Sequence, residues 1–407
     1  MNSTSTPDLI VVGAGIVGLA HAAEALRRGL TVTVLERDHR AVGASVRNFG
    51  HVCATAQSGR GLEYALTARE RWIELGAAAG IDVRQVGTLV LARHEDEARV
   101  LREFAATRPA GQVRLLDAEE ARELTAQPLP GLLAAAHLPL DLRVDPREAI
   151  PALAAWIAAQ PGAEVRFDTH VTAVTPAADG ASVAVSTNRG ELTAARVIHA
   201  VGHDVDRLFP ALAEQIELKR CRLQMLEVAP PRKADLGPAL LTGLSMLRYG
   251  GLAATPAARD VRERIQRSTP ELLDVQMNLM LTQRPEGSLV LGDTHVDEDS
   301  TSPFDDERLA ELLLREGEEL FGEPLTVRRR WRGVYAHSAA TDFLVASPHP
   351  AVRVVSVTSG IGMTTSFGLA PDVLDGLVWP VDSSRHGLEW AHDGGQAAPV
   401  AALASGA

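Results

Sequence analysis

Residues 9–12 (LIVV) form a short unbroken apolar run, a helical pattern follows over 16–28, and 31–35 (TVTVL) reads as a second strand. Runs of this length beside glycine predict buried strands, so the chain opens with a β-α-β unit. Leu62, Ala65, Leu66, Trp72, Ile73 and Leu75 recur at helical spacing and predict a helix over about 62–79. VGTLVLA (86–92) reads as a strand, and 95–106 and 117–125 as short helices, the second with Asp117 as N-cap. VDPREAIPALAAWIAAQ (144–160) starts a helix at its proline.

Three strands are expected from EVRFDTHVTAVTP (164–176), ASVAVSTN (181–188) and ARVIHAVG (195–202). KRCRLQMLEVA (219–229) and NLMLTQRPEGSLVLGDTH (278–295) are strand-like, with RPEG as a turn. A helix over 305–320, strands VRRRWRGVY (327–335) and VRVVSVTSG (352–360), and a helix over 366–378 complete the pattern. The tail from about 382, rich in Gly, Ala, Ser and His, is expected to add little to the core.

At 407 residues the chain exceeds one ordinary core and implies about two domains. The expected division is a discontinuous dinucleotide-binding domain from 1–85, 141–215 and 325–407. A strand-rich substrate domain comes from 86–140 and 216–324. The formal charge of −12 argues against nucleic acid or an anionic membrane as partner, and means that local Arg or Lys must attract any anionic substrate. Cys53 and Cys221 form no ligand cluster, so no metal site and no disulfide is expected. MNSTSTPD lacks a signal-peptide pattern and no run of 18 apolar residues exists, so the expectation is a cytoplasmic protein without a membrane span.

The first chemistry-bearing motif is VGAGIVG (12–18). Gly13, Gly15 and Gly18 give GxGxxG between a strand and a helix, with Ile16 and Val17 in the turn. Such a turn lets backbone N–H groups approach a pyrophosphate. Glu36 ends the second strand, 18 residues after Gly18, where its carboxylate can accept from ribose hydroxyls. Arg37 follows it. An acid at 36 disfavours a 2′-phosphate.

RVIHAVGHDVDRLFP (196–210) is a strand ending in the small-residue turn Ala200-Val201-Gly202, and it resembles the strand-to-glycine element of flavoproteins with two-dinucleotide-binding folds. THVTAV (169–174), with Val171, resembles the segment there whose backbone contacts adenine. In VTSGIGMTTSFGLAPDVLDGL (357–377), Gly360 and Gly362 precede a helix, with Met363 and Thr364 beside them. A helix N-terminus there can face the electron-rich edge of a reduced flavin.

These segments together resemble the D-amino acid oxidase-like (DAO) family of FAD-dependent amine oxidoreductases, which includes glycine and sarcosine oxidases. The likeness covers about residues 8–380. GASVRNFG, the AVG turn, RWRGVY and SGIGMTTSFGLA are most similar to a bacterial subgroup associated with phosphonate breakdown. The resemblance implies an α/β fold: a Rossmann-like FAD-binding domain with a second α+β substrate domain holding a mixed or antiparallel sheet. It implies that the loop RNFGHVCATAQ (47–57) runs along the cofactor, with Ser45, Arg47 and Asn48 touching it and His51 near the flavin face. Sarcosine oxidases attach flavin through a cysteine two residues before a tyrosine; the matching residues here are Gly333 and Tyr335, which implies non-covalent FAD. Their substrate-holding lysine matches Thr364.

The anion is then left to Arg332, in the substrate-side strand, or Arg248, with Tyr249 and Tyr335 as donors and His295 of LGDTH as a further candidate. The implied reaction oxidises the C–N bond of a small anionic amine, an aminophosphonate or its N-alkyl derivative, to an imine that water hydrolyses. Oxygen or another acceptor takes the electrons. A carboxylate amine of the D-amino acid, glycine or sarcosine type is the alternative, and a non-catalytic dinucleotide-binding protein a more distant one. No general base is required if the amine binds neutral. Oligomeric state is not legible.

Overall fold

The computed structural model describes residues 6–232 and 235–377. The expectation for the tail beyond 382 falls outside them. Six strands form one sheet in the order Phe343–His349, Val352–Val357, Arg196–His199, Leu9–Val12, Val32–Leu35, Ala163–Arg166. Its pairings are parallel except at the outer pair Phe343–His349 and Val352–Val357. Parallel strands are covered on both faces, which accounts for the unbroken apolar run at 9–12 and for the full burial of 352–357. Helices Ile16–Arg27, Gly59–Ala79, Pro146–Ala158 and Gly362–Asp375 pack with this sheet around one core. A three-stranded antiparallel sheet, Gly190–Ala194, Val183–Thr187, Val171–Pro176, lies beside it.

The second large sheet has eight strands in the order Thr326–His337, Lys219–Ala229, Leu289–Glu298, Met280–Gln283, Ala239–Leu241, Thr88–Ala92, Ala134–Leu138, Arg114–Asp117. All its pairings are antiparallel except Ala239–Leu241 with Thr88–Ala92, so it is mixed, as expected. It carries its own core, including Phe104, Phe321 and Leu313.

Local signals hold where they rest on caps. Asp117 forms a capping box with Glu120 and starts helix Ala118–Thr125. Asp145 accepts from the Arg147 amide and Pro146 occupies the first turn of Pro146–Ala158.

Three expectations change. The stretch 164–176 is two strands, Ala163–Arg166 and Val171–Pro176, in different sheets; Asp168, at φ 53, turns the chain between them. The last helix begins at Gly362 rather than 366, because small residues there let it pack deep against Gly59–Ala79. Strand Thr326–His337 belongs to the eight-stranded sheet, although the expected division places 325–407 in the dinucleotide domain. It pairs along its whole length with Lys219–Ala229, and this register overrides its place in the chain.

The helix pair Gly59–Ala79 and Gly362–Asp375 depends on Gly368, where a Cβ would lie 2.1 Å from the Tyr64 carbonyl oxygen. Trp72 packs edge-on against Phe367 beside it and donates to the Met363 carbonyl. Gly368→Ala therefore lowers stability by about 3 kcal/mol in a denaturant melt, the upper part of the overpacking range. Gly376→Ala, where a Cβ meets nothing closer than 3.6 Å, changes it by less than about 0.5 kcal/mol.

Candidate active site

A single cavity of about 440 Å³ runs from the first glycine turn to the eight-stranded sheet. At one end lie Gly13, Gly15, Ile16, Val17, Glu36, Arg37, Ser45, Arg47, Asn48, Val171, Ala200 and Gly202. Gly360, Gly362 and Met363 join them from the start of the last helix. The glycine signature is explained by contact. Gly13 has φ +103, and a Cβ there would lie 2.4 Å from the Ala200 carbonyl oxygen. Gly18 does not line the cavity; its Cβ would sit 1.9 Å from the Gly13 carbonyl oxygen, so it lets the helix approach the turn from beneath.

Side chains hold this turn open. Glu36 accepts from the Ala14 amide at 2.9 Å and the Asp38 amide at 3.1 Å. Ser45 accepts from the Ile16 amide at 2.8 Å. Asn48 bonds its own loop, through the Ala44 carbonyl and the Gly50 amide, and Trp331 ties that loop down by donating to the Arg47 carbonyl. Arg37 is paired with Asp204 at 2.7 Å. Arg47 has no ion pair among the described residues. A glycine cradle, an acid at the ribose position and a free cation fit an adenine dinucleotide with an anionic pyrophosphate.

At the other end lie Arg248, Tyr249, Asn278, Met280, Asp293, His295 and Tyr335. Strand register assembles most of them. Leu223 is opposite His295 on one side and Gly333 on the other. Residues two apart in a regular strand share a face, so Tyr335 joins Gly333 on the cavity side. Asp293 has no partner on Lys219–Ala229, because the register shifts between Thr294 and Gly292, and this bulge presents it to the cavity beside His295. Arg248 stands open to the cavity, donating to the Tyr335 hydroxyl at 3.1 Å and the Ser359 carbonyl at 3.0 Å. Among the described residues it makes no salt bridge. Tyr249 donates to Met280 Sδ at 3.3 Å.

Ionisation at this end follows burial. Burial, reinforced by Arg248, lowers His295 to about 3, so the ring is neutral. Its Nδ1 lies 2.8 Å from the Gln276 carbonyl, which requires the proton on Nδ1 and leaves Nε2 an acceptor. Burial raises Asp293 to about 7, against the opposing pull of Arg248 and the Asn278 amide. Sequence reasoning missed Asp293 and Asn278. Asp293 stands in LGDTH, two residues before His295, but a bulge in the pairing, which the sequence does not reveal, brings the two together.

Three expected residues lie elsewhere. His51 does not line the cavity. Its Nε2 lies 2.5 Å from Thr88 Oγ1, which donates in turn to Asp141 at 2.7 Å. Because Thr88 uses its only hydrogen on Asp141, His51 is the donor. This ties strand His51–Val52 to the eight-stranded sheet. Arg332 faces away from the cavity, donating to the Ser302 and Pro303 carbonyls and pairing with Asp305 at 3.2 Å. It is adjacent to Gly333 and so falls on the opposite face of its strand. Thr364 is buried beneath the cavity, where its hydroxyl accepts from the Cys53 amide at 3.2 Å.

His51, Cys53 and Asp141 bring three ligand-type atoms within 4.8 Å of one another. Hydrogen bonds from Ala54, Thr55 and Thr88 already occupy both Asp141 oxygens, so the trio is bonded as a structural network. Burial, then Asp141, pushes the Cys53 thiol well up, which keeps it neutral.

The raised Asp293 pKa has a stability consequence. The folded state holds the proton more tightly than the unfolded one, so stability falls as pH rises from about 4 to about 7. Asp293→Asn removes that loss. Its stabilising effect in denaturant melts is larger at pH 8 than at pH 5, by roughly 2–3 kcal/mol at about 1.4 kcal/mol per pKa unit.

Comparison with known proteins places the chain in a family. The model for the DAO family, FAD dependent oxidoreductases, matches residues 8–373. The chain is 30% identical over 241 residues to the tRNA 5-methylaminomethyl-2-thiouridine biosynthesis bifunctional protein MnmC of Chromohalobacter salexigens, a match covering 56% of this chain and 32% of that protein. It is 26% identical over 261 residues to one of the subunits of opine oxidase from Rhizobium meliloti, covering 60% and 69%. The chain thus spans about a third of the first relative and about two thirds of the second. Glycine oxidase from Geobacillus kaustophilus shares the fold at a TM-score of 0.72 and 20% identity, over 92% of this chain and 95% of that one. The chain belongs to the DAO family of FAD-dependent oxidoreductases, with FAD as its cofactor.

Proposed function

We propose that the protein oxidises the C–N bond of a small anionic amine, with FAD bound non-covalently. The observation that carries this reading is Arg248: a guanidinium open to the cavity, without a carboxylate partner among the described residues. An unpaired cation in a recess is costly unless an anion completes it. Tyr335 and the Ser359 carbonyl orient its fork. Neither Cys53 nor Cys221 lines the cavity, which supports a cofactor held without a thioether.

When bound, FAD supplies the two-electron acceptor for C–N oxidation. The chain's own residues bind and orient. Arg248 fixes the anionic group, and the neutral ring of His295 and the carboxyl of Asp293 lie within the same recess. Tyr249 and Met280 supply apolar wall that excludes water from the amine end. The imine product is hydrolysed by water to an aldehyde or oxo acid, and oxygen or another acceptor restores the oxidised protein.

Within this class we favour an aminophosphonate or N-alkyl aminophosphonate, on the similarity of GASVRNFG, RWRGVY and SGIGMTTSFGLA to the phosphonate-associated subgroup. An amino-carboxylate is the second reading, favoured by the glycine oxidase and opine oxidase names of similar proteins. Arginine suits either anion through its planar fork.

Anaerobic addition of 2-aminoethylphosphonate, its N-methyl derivative, glycine and iminodiacetate to the yellow holoprotein separates the two. Bleaching of the flavin band by the phosphonates alone supports the first reading, and by the carboxylates alone the second. Bleaching by no amine of a broad panel removes the oxidase reading. Arg248→Gln weakens binding of the bleaching anion about 100-fold, the loss of one charged, bidentate contact, while leaving FAD content unchanged.

A further inference from the structure

Two acceptor atoms in the cavity lack a donor. Asp293 Oδ1 accepts from Asn278 Nδ2 at 3.1 Å, but no donor within the described chain reaches Oδ2. His295 Nε2, an acceptor because Nδ1 carries the proton, lies 3.9 Å from that oxygen. Two acceptors at this separation do not bond each other. A single nitrogen can lie about 2.9 Å from both and donate to each. The group that fits has at least two N–H bonds and bears positive charge, which is the description of an ammonium. Arg248, which fits an anion, opens onto the same recess.

We propose that Asp293 Oδ2 and His295 Nε2 form the amine pocket of this site, and that Asp293 takes the proton of the substrate ammonium. The assignment rests on the amine-oxidising reading above and adds a base to it. The step balances without electron transfer: the ammonium N–H breaks, a carboxyl O–H forms, and a neutral amine and a neutral Asp293 remain. The lone pair that C–N oxidation requires is thereby freed inside the site. His295 stays neutral and directs the amine. An imidazolium there would repel it.

The groups facing Asp293 define its titration. They are Arg248 and Tyr249 from one loop, Asn278 ahead of its strand, His295 on the same strand and Tyr335 from the strand beyond. Burial is the largest influence and Arg248 opposes it, leaving a carboxyl that exchanges its proton near pH 7. Proton acceptance requires the ionised form, so kcat/KM rises with pH through about 7 in the wild type.

The test uses the dithionite-reduced holoprotein, which binds amines without turnover. Matched probes are 2-aminoethylphosphonate against ethylphosphonate, and glycine against acetate, titrated calorimetrically at several pH values. The wild type prefers the amine-bearing member of one pair by about tenfold or more. Asp293→Asn abolishes that preference and the pH dependence of amine binding, but still binds the amine-free anion. His295→Phe, which leaves the carboxylate in place, reduces the same preference. Should Asp293→Asn keep both the preference and the pH dependence while Arg248→Gln loses anion binding, the amine pocket is wrong and the anionic-amine reading stands. Should the wild type bind no member of either pair, the functional reading fails and the pocket with it.

Discussion

A strand presents alternate residues to opposite faces, and most of the substrate end of this protein follows from that constraint. Strand Lys219–Ala229 pairs with Leu289–Glu298 on one side and Thr326–His337 on the other, and its register aligns His295, Leu223 and Gly333 in a row. Tyr335 faces the cavity with that row, Asp293 reaches it from the bulge between Gly292 and Thr294, and Arg332 is held outside by the Ser302 and Pro303 carbonyls and Asp305. A shift by one residue in the pairing with Thr326–His337 would exchange Tyr335 for its neighbours. The eight-stranded sheet is therefore the part of the fold that selects the chemistry, while the parallel sheet holds the cofactor.

The charges left inside this cavity are consistent with one another. Arg248 is open and unpaired, Asp293 is ionised only near and above neutrality, and His295 is neutral at every physiological pH. A protein under selection for stability alone would pair or remove them, because each buried polar group without a partner costs free energy. Arg332 illustrates the alternative: two carbonyls and Asp305 saturate it, and it plays no part in the cavity. His51 and Asp141 illustrate the same point deeper inside, where hydrogen bonds through Thr88, Ala54 and Thr55 satisfy the carboxylate.

The cavity end beside the glycine turn was legible in the chain as a cluster of positions. Gly13, Gly15, Glu36, Ser45, Arg47, Val171, Ala200, Gly202, Gly360 and Gly362 all line one cavity, because their positions follow from short-range geometry: a tight turn, a strand end, a helix start. Gly18 was legible in role, though it acts from beneath. The substrate end was half legible. Arg248, Tyr249, His295 and Tyr335 line the cavity, whereas His51, Arg332 and Thr364 do not. The failures share a cause: each residue type suited the chemistry, but the direction of its side chain depends on pairings with segments distant in sequence.

What the sequence determined alone was the local: the opening β-α-β unit, the helix caps at Asp117 and Asp145, the glycine turn and the acid that completes it. These depend on backbone conformation and on contacts within a few residues, which composition and spacing encode directly. What only the tertiary structure decided was membership and orientation. Strand Thr326–His337 joined the eight-stranded sheet, the stretch 164–176 divided between two sheets, and Asp293 came to face Arg248. Sheet partnership is a contest among distant strands whose hydrophobic patterns are alike, and it is resolved only when all of them are packed together.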